Sequence, residues 1–188
     1  MPFFHIGRRV SPALRRETCP FATIEAKMIR PAELSDIPAV LAFWNPVIRD
    51  TTVTFSSEEK TEAGLWETIE ARRAGGQEFL VAEEGGEILG FVTWGQFRGG
   101  NGYVHAMEHT IILAPGARGR GIGRALIGAA EATARAAGAH ILVAGISAEN
   151  GPALAFHRAV GFEEAGRVRE AGRKFGRWID LVLMQKRL

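Results

Sequence analysis

Residues 109–126, HTIILAPGARGRGIGRAL, constrain the fold more than any other stretch of the chain. Thr110, Ile111, Ile112 and Leu113 form a β-branched apolar run, and Ala114-Pro115-Gly116 breaks it. Arg118-Gly119-Arg120-Gly121-Ile122-Gly123-Arg124 follows, and an alanine-rich helical pattern comes next. The spacing predicts a strand, a glycine-rich bend and a helix. Glycines at 119, 121 and 123 keep side chains out of the bend. The first turn of a helix carries amide N–H groups without internal partners and about half a unit of positive charge. A bend of this kind, feeding a helix N-terminus, is suited to a phosphate or diphosphate.

Two familiar phosphate-binding patterns do not fit. A P-loop needs a Lys-Ser/Thr pair after its last glycine, whereas Gly123 is followed by Arg124-Ala125. A dinucleotide fold places its glycines after the first strand, with an acidic residue about twenty positions on. Here the glycines lie past mid-chain, and the next apolar run, Ile141-Leu142-Val143-Ala144, ends without an acid. The pattern that remains is Arg-x-x-Gly-x-Gly, met by Arg118, Gly121 and Gly123. A basic glycine-rich turn on the surface is the plainer alternative for the same residues.

A length of 188 residues suits one domain, with or without an extension. A hydrophobic fraction of 46% is ordinary for a chain with a full core, and a net charge of +2 does not call for a nucleic-acid partner. Cys19 is the single cysteine, so no disulfide framework exists. No apolar run approaches a membrane span, so no membrane partner is expected and the cytoplasm is the expected location. Residues 1–26 scatter Phe3, Phe4, Ile6 and Val10 among arginines, without the continuous apolar core of a signal peptide. They read as a start-site extension with the arginine-rich composition of a transit peptide, and the domain is expected over 27–188. His105, His109 and His140 lack metal-ligand spacing, and no metal is expected.

Ile29 lies on a short first strand. Ser35-Asp36 cap a helical pattern running to Ile48, with Ile37, Val40, Leu41, Trp44 and Val47 on one side. Ser56 and Glu59 have capping-box spacing ahead of a second helix that buries Leu65, Trp66 and Ile69 and ends at Gly75-Gly76. Strands are expected over 79–82 and 88–94, joined by a turn at Gly85-Gly86. A loop with Phe97, Arg98 and several glycines leads to a strand over 103–113. After the bend, a helix over 121–137 stops at Gly138, and Ala125, Ala129, Ala132 and Ala136 would form a small face against the sheet. A strand over 140–146, a helix from Asn150-Gly151-Pro152 to Val160, and strands over 163–174 and 177–186 complete the chain. The order β-α-α-β-β-β-α-β-α-β-β calls for a mixed α/β fold, a mostly antiparallel sheet with helices on both faces.

That order, with the glycine bend between the fourth strand and third helix, resembles the GNAT N-acetyltransferases. Asn150, Ala153 and Gly161-Phe162 match the Asn-x-x-Ala…Gly-Phe signature of that superfamily, and the resemblance covers about residues 27–188. Glu108-His109-Thr110, His157 in Phe156-His157-Arg158, Thr51-Thr52, and the tail Phe175-Gly176-Arg177-Trp178-Ile179-Asp180-Leu181 resemble the phosphinothricin and methionine sulfoximine/sulfone N-acetyltransferase group.

The resemblance implies acetyl transfer from acetyl-CoA, the cosubstrate, to an amine. An amine near neutral pH is mostly ammonium, so a base must take a proton before attack. Glu108 is the candidate, because strand alternation turns it toward the cleft with Thr110 and Ile112. A solvated strand carboxylate is the alternative. His157, at a position where many GNAT enzymes carry tyrosine, is the candidate donor to the leaving thiolate; a surface-facing helical histidine is the alternative. A backbone N–H of the 111–113 strand would meet the charge developing on the carbonyl oxygen. The diphosphate falls to the amides of Gly119, Arg120, Gly121, Ile122, Gly123 and Arg124, with Arg118 adding charge. Main-chain groups of Ile111, Ile112 and Leu113 would pair with the pantetheine arm, and Asn150 is carried over as a hydrogen-bond donor to pantetheine or phosphate. Arg98 matches an arginine of the subgroup and would hold a substrate carboxylate, with Tyr103, Trp94 and Phe97 as candidate walls and His109 and Thr110 nearby. Gly99-Gly100 stand where the subgroup has bulkier residues. Alternation puts His109 opposite Glu108, in a buried or interfacial place. Lys174, Arg177 and Trp178 fit the tail where strands meet a partner subunit, and a homodimer is implied.

Three classes of function compete. The first is an N-acetyltransferase for small amino-acid-like amines, with a polyamine or a protein N-terminus as neighbouring substrates. A polyamine wants acids, and the loop before Tyr103 holds Arg98 and none. A non-catalytic acyl-CoA sensor is the second, opposed by the presence of both Glu108 and His157. A nucleic-acid binder is the third, opposed by the lack of aromatics among the arginines.

Overall fold

Strand β3 (Glu87–Gln96) is buried at every position between its two ends. A strand covered on both faces needs a layer on each side of the sheet. Its neighbour β2 (Phe79–Glu84) shows how the layers divide. Phe79 and Val81 join one core with Ile37, Val40 and Phe43 of α1 (Ile37–Asp50) and Leu65 and Ile69 of α2 (Glu62–Ala74). Leu80 and Ala82 join the other with Ile122, Leu126, Ile127, Ala130 and Ala134 of α3 (Ile122–Ala136). Successive strand residues point to opposite faces, so the alternation in β2 assigns α1 and α2 to one face and α3 to the other.

The computed structural model describes residues 28–188. The expected extension over 1–26, and Cys19 with it, lies outside the described residues. The described residues open with β1 (Met28–Pro31), and β4 (Ala106–Leu113), β5 (Ile141–Ser147), α4 (Gly151–Ala159), β6 (Glu163–Lys174) and β7 (Arg177–Arg187) complete the elements around α1–α3. The strands form one seven-stranded sheet in the order β1-β2-β3-β4-β5-β7-β6. Every neighbouring pair is antiparallel except β4 and β5. The expected order and mixed sheet are both found.

Four local expectations are corrected. Helix α2 starts later than the Ser56–Glu59 spacing suggested, because Thr61 is its cap and takes the Gly64 N–H at 3.1 Å. Asp36 does stand at the start of α1, but its carboxylate does not cap that helix. It accepts the Glu33 N–H at 2.7 Å and both ends of the Arg30 guanidinium at 2.7 and 2.8 Å. Of the alanines expected to face the sheet from α3, Ala129 packs against the core but Ala125, Ala132 and Ala136 are exposed. Larger apolar residues on the other side of the helix bury more surface, so they take the sheet. Finally, β4 begins at Ala106, since 101–103 form a 3-10 turn and Tyr103 is exposed.

Candidate active site

The parallel pair β4–β5 is in register over three residue pairs, Ala106–Ile141, Met107–Leu142 and Glu108–Val143. Both strands continue, to Leu113 and Ser147, but among the described residues they make no further pairs with each other. Each stays paired on its outer side, β4 with β3 as far as Leu113 and β5 with β7 as far as Ser147. The sheet therefore splits, and the inner edges of the 109–113 and 144–147 segments face a gap. A cavity of about 400 Å³ opens at the split, lined by Glu108, His109, Thr110, Ile111 and Ile112 from β4, by β5, and by Asn150, Ala153 and His157 from α4. Trp44 and Ile48 of α1 and residues 53–56 close it from one side.

The glycine bend lies at the end of β4. Gly119 has φ 74° and Gly121 has φ 79°, a left-handed conformation that only glycine adopts without strain. Gly121 caps α3 with no side-chain hydrogen bond, and the first helical bond runs from Ala125 N–H to Gly121 O at 3.1 Å. The amides of Ile122, Gly123 and Arg124 thus precede the helix's first internal donor and point out of its end. Ile122 has its side chain in the core, so it can serve a ligand only through its main chain. Gly123 works differently from its neighbours. A Cβ there would lie 3.1 Å from the Phe156 ring, so this glycine lets α3 pack closely on α4. Arg118 is exposed, Arg120 pairs with Glu84, and Arg124 donates to Ala159 O at 3.1 Å.

Glu108 sits where the sheet splits. Its carboxylate passes over Gly145 of β5, where a Cβ would come 2.9 Å from Oε1. The packing around it raises the carboxyl above its ordinary value, and the positive charge of Arg72 pulls part of the way back. Arg72 reaches this place because Gly95, the β3 partner of Glu108, has no side chain: a Cβ there would lie 1.3 Å from Nη1. Asn150 caps α4 by accepting the Ala153 N–H at 3.2 Å, which leaves its amide NH2 to donate toward the cavity. His157 is buried, with Nδ1 2.8 Å from Ala153 O and Nε2 3.0 Å from Nε2 of His109. His109 is buried within the chain, and Nδ1 lies 2.9 Å from Val143 O.

Glu108, His109, Thr110, Ile111, Ile112, Asn150 and His157 thus meet at one cavity. Arg98 and Tyr103 do not: both are exposed on the loop between β3 and β4, outside the cavity lining. Nor do Trp94 and Phe97; Trp94 is core, with Nε1–H bonded to Thr133 Oγ1 at 3.0 Å. The aromatic walls are Trp44 and Phe55, and the lysine in the lining is Lys60, whose Nζ lies 5.9 Å from the Trp44 ring centroid. Lys174, expected where a partner would meet the tail, is instead buried in the chain. Its Nζ donates to Ile48 O at 2.5 Å and to Thr54 O and Ser56 O at 2.8 Å each.

A split sheet with free strand edges, open amides at a helix end and a carboxylate at the fork suit an extended ligand that carries an anionic group. Residues 44–162 match the family model described as Acetyltransferase (GNAT) family. An L-methionine sulfoximine/L-methionine sulfone acetyltransferase from Pseudomonas paraeruginosa is 36% identical over 85% of this chain and 94% of its own length. A crystal structure of ribosomal-protein-alanine N-acetyltransferase from Brucella melitensis superposes with a TM-score of 0.82 at 39% identity, covering 86% of this chain and 99% of that one. A phosphinothricin acetyltransferase from Sinorhizobium meliloti, solved with acetyl-CoA, superposes with a TM-score of 0.81 at 29% identity, covering 86% of this chain and 88% of that one. The chain belongs to the GNAT acetyltransferase family. It is an acetyl-CoA-dependent N-acetyltransferase. The unpaired inner strand edges and the open amides after Gly121 fit the extended arm and the diphosphate of that cosubstrate.

Proposed function

We propose that the chain acetylates the amino group of a small amino-acid-like substrate of the methionine sulfoximine, methionine sulfone or phosphinothricin type. The observation that carries this reading is Glu108, a carboxylate at the fork of the sheet with its proton affinity raised by its surroundings. Names of relatives point the same way: a methionine sulfoximine/sulfone acetyltransferase and phosphinothricin N-acetyltransferases at 32–36% identity. A cavity of about 400 Å³ accepts an amino acid.

Acetyl-CoA supplies an acetyl group as an activated thioester. The amides of Gly119–Arg124 hold the diphosphate, and the edge of 111–113 orients the arm. Glu108 takes a proton from the substrate ammonium, exposing the lone pair that attacks. A carboxyl with a raised pKa is a stronger base, once deprotonated, than an ordinary one. His157 supplies a proton to the departing sulfur. Lys60 stands in the cavity lining as a partner for a substrate carboxylate, ahead of Arg98 on the exposed loop. The homodimer belongs to this reading too, with exposed Phe175 and Trp178 on the β6–β7 hairpin as surface for it.

The test is thiol release from acetyl-CoA by the full chain, against a panel of sulfoximine, sulfone, phosphinic and ordinary amino acids. Turnover concentrated on the first three supports the proposal. Turnover only with peptides beginning in alanine would replace it by protein N-terminal acetylation, the second reading, which the name of the Brucella melitensis structure favours. Binding of acetyl-CoA without turnover on any amine would leave a sensor.

A further inference from the structure

We infer that His109 and His157 hold one proton in common between their Nε2 atoms, and that His109 is the positioning residue that makes His157 a proton donor. The second half rests on the acetyl-transfer reading above; the first does not.

The partners of the four ring nitrogens fix the number of hydrogens. Nδ1 of His109 is 2.9 Å from Val143 O, and Nδ1 of His157 is 2.8 Å from Ala153 O. A carbonyl oxygen only accepts, so each Nδ1 carries a hydrogen. A neutral imidazole has one N–H, which leaves both Nε2 atoms bare. Yet these two atoms lie 3.0 Å apart. Two lone pairs at that distance repel each other. One hydrogen between them makes an N–H···N bond of ordinary length. The pair then has three hydrogens on two rings and a single positive charge.

The surroundings accept that charge. The Phe162 ring centroid is 5.3 Å from His109 and 5.2 Å from His157, and Phe156 is 5.2 Å from His157. An aromatic ring attracts a cation that lies over its face within about 6 Å. Main-chain carbonyls of β5 and α4 meet the ring nitrogens, and Phe162 ahead of β6 presents its ring. The other ionisable side chains lining the cavity are Glu108 on β4 and Lys60 ahead of α2. Burial opposes the charge, pushing His109 down to about 3 and His157 below its ordinary value. The Nε2 contact decides the matter, because a neutral pair would hold two bare nitrogens together. The two tendencies combine into a proton that is present but loosely held.

Such a proton suits a leaving thiolate. As the nitrogen–carbon bond forms, the carbon–sulfur bond breaks and its electron pair goes to sulfur. The common proton stays on Nε2 of His157 as its contact with His109 opens, and passes from there to sulfur in the cavity that His157 lines. The substrate ammonium gives up two protons in all, through Glu108; one refills the histidine pair and the other leaves to water.

Nitrogen-15 NMR of the full chain with labelled histidine, in the resting state near neutral pH, tests the count. His109→Gln and His157→Gln assign the signals. Three hydrogens on the two rings, one of them coupled to both Nε2 atoms, are expected. Two hydrogens, or a ring turned away from its carbonyl, would overturn the inference whatever the enzyme's substrate. In kinetics, His109→Phe lowers kcat by roughly tenfold or more. It moves the pH profile while leaving the KM for acetyl-CoA within about twofold, and His109→Gln recovers part of the loss by keeping a hydrogen-bonding group beside Nε2 of His157. A His109→Phe enzyme with the wild-type kcat and pH profile would refute the positioning role.

Discussion

The carboxylate of Glu108 lies directly over Gly145, so close that a methyl group on that glycine would come 2.9 Å from Oε1. The two residues stand on the two strands that part at the cavity. The missing side chain on β5 therefore sets where the carboxylate can rest. Gly145→Ala meets the far end of a flexible side chain rather than backbone, so the fold accommodates it and Glu108 swings aside. Thermal stability should stay within about 1 kcal/mol of wild type. The expected loss is in kcat, by roughly ten- to a hundredfold, because misplacing a base by an ångström is costly. Equal loss of stability and kcat would show that Gly145 serves packing alone.

Glu108→Gln keeps the shape of the side chain and removes the proposed base. Turnover should fall by about 10²–10⁴-fold, with acetyl-CoA affinity retained. The wild-type pH profile gives a second check. A base works when deprotonated, so activity falls as pH drops through the carboxyl's pKa. Surroundings raise that pKa, so the acid limb of kcat/KM should lie above the ordinary glutamate value of about 4.3. Arg72→Met removes the positive charge that opposes the shift and should move the limb further up.

Element order and most of the cavity were legible because they depend on local pattern. The strand at 110–113, the glycines of the bend and the cap at Asn150 each announce a backbone conformation. Glu108 followed from strand alternation. What stayed hidden depends on distant segments meeting. Arg72 sits on α2, and only the register of β3 against β4 shows that it fills the space over Gly95 beside Glu108. Phe55 comes to the cavity because Gly172 on β6 is bare, and a Cβ there would sit 2.2 Å from its ring. His109 and His157 are 48 residues apart, and no spacing rule joins a strand to a helix across a split sheet. Arg98 is the opposite case: a residue type suited to a carboxylate, on an exposed loop outside the lining of this cavity.

Gly121 and Gly123 look alike in the sequence and should fail differently. Gly121 has φ 79°, so Gly121→Ala forces a left-handed residue at the cap of α3. The cost is about 1–2 kcal/mol. For a chain of this size that is roughly 2–8 °C in Tm. Amide positions in the bend shift with it, so the Kd for acetyl-CoA should rise. Gly123→Ala sits within α3 and meets the Phe156 ring at 3.1 Å. It should disturb the α3–α4 contact and carry less penalty for coenzyme binding. Paired thermal melts and calorimetric titrations separate the two, and identical behaviour would refute the division of roles.

Lys174 ties the hairpin of β6 and β7 to the loop over the cavity. Its ammonium group meets the carbonyls of Ile48, Thr54 and Ser56, and residues 53–56 line the cavity on that side. An ammonium has three N–H groups, so each carbonyl receives one. Lys174→Met keeps the length of the stem and removes all three donors. Leaving a buried carbonyl without a donor costs about 1–3 kcal/mol, though residues at the loop's edge recover part of that from water. The 53–56 segment should loosen, raising the KM for the amine several-fold while the KM for acetyl-CoA, whose proposed site is at the bend, changes little. Lys174→Arg retains a charge but spreads its donors in a plane, and should restore stability incompletely. Amide exchange over residues 51–57 reads the loop directly: faster exchange confined to that segment is expected in the methionine variant, and unchanged exchange with an unchanged amine KM would show that the loop holds itself.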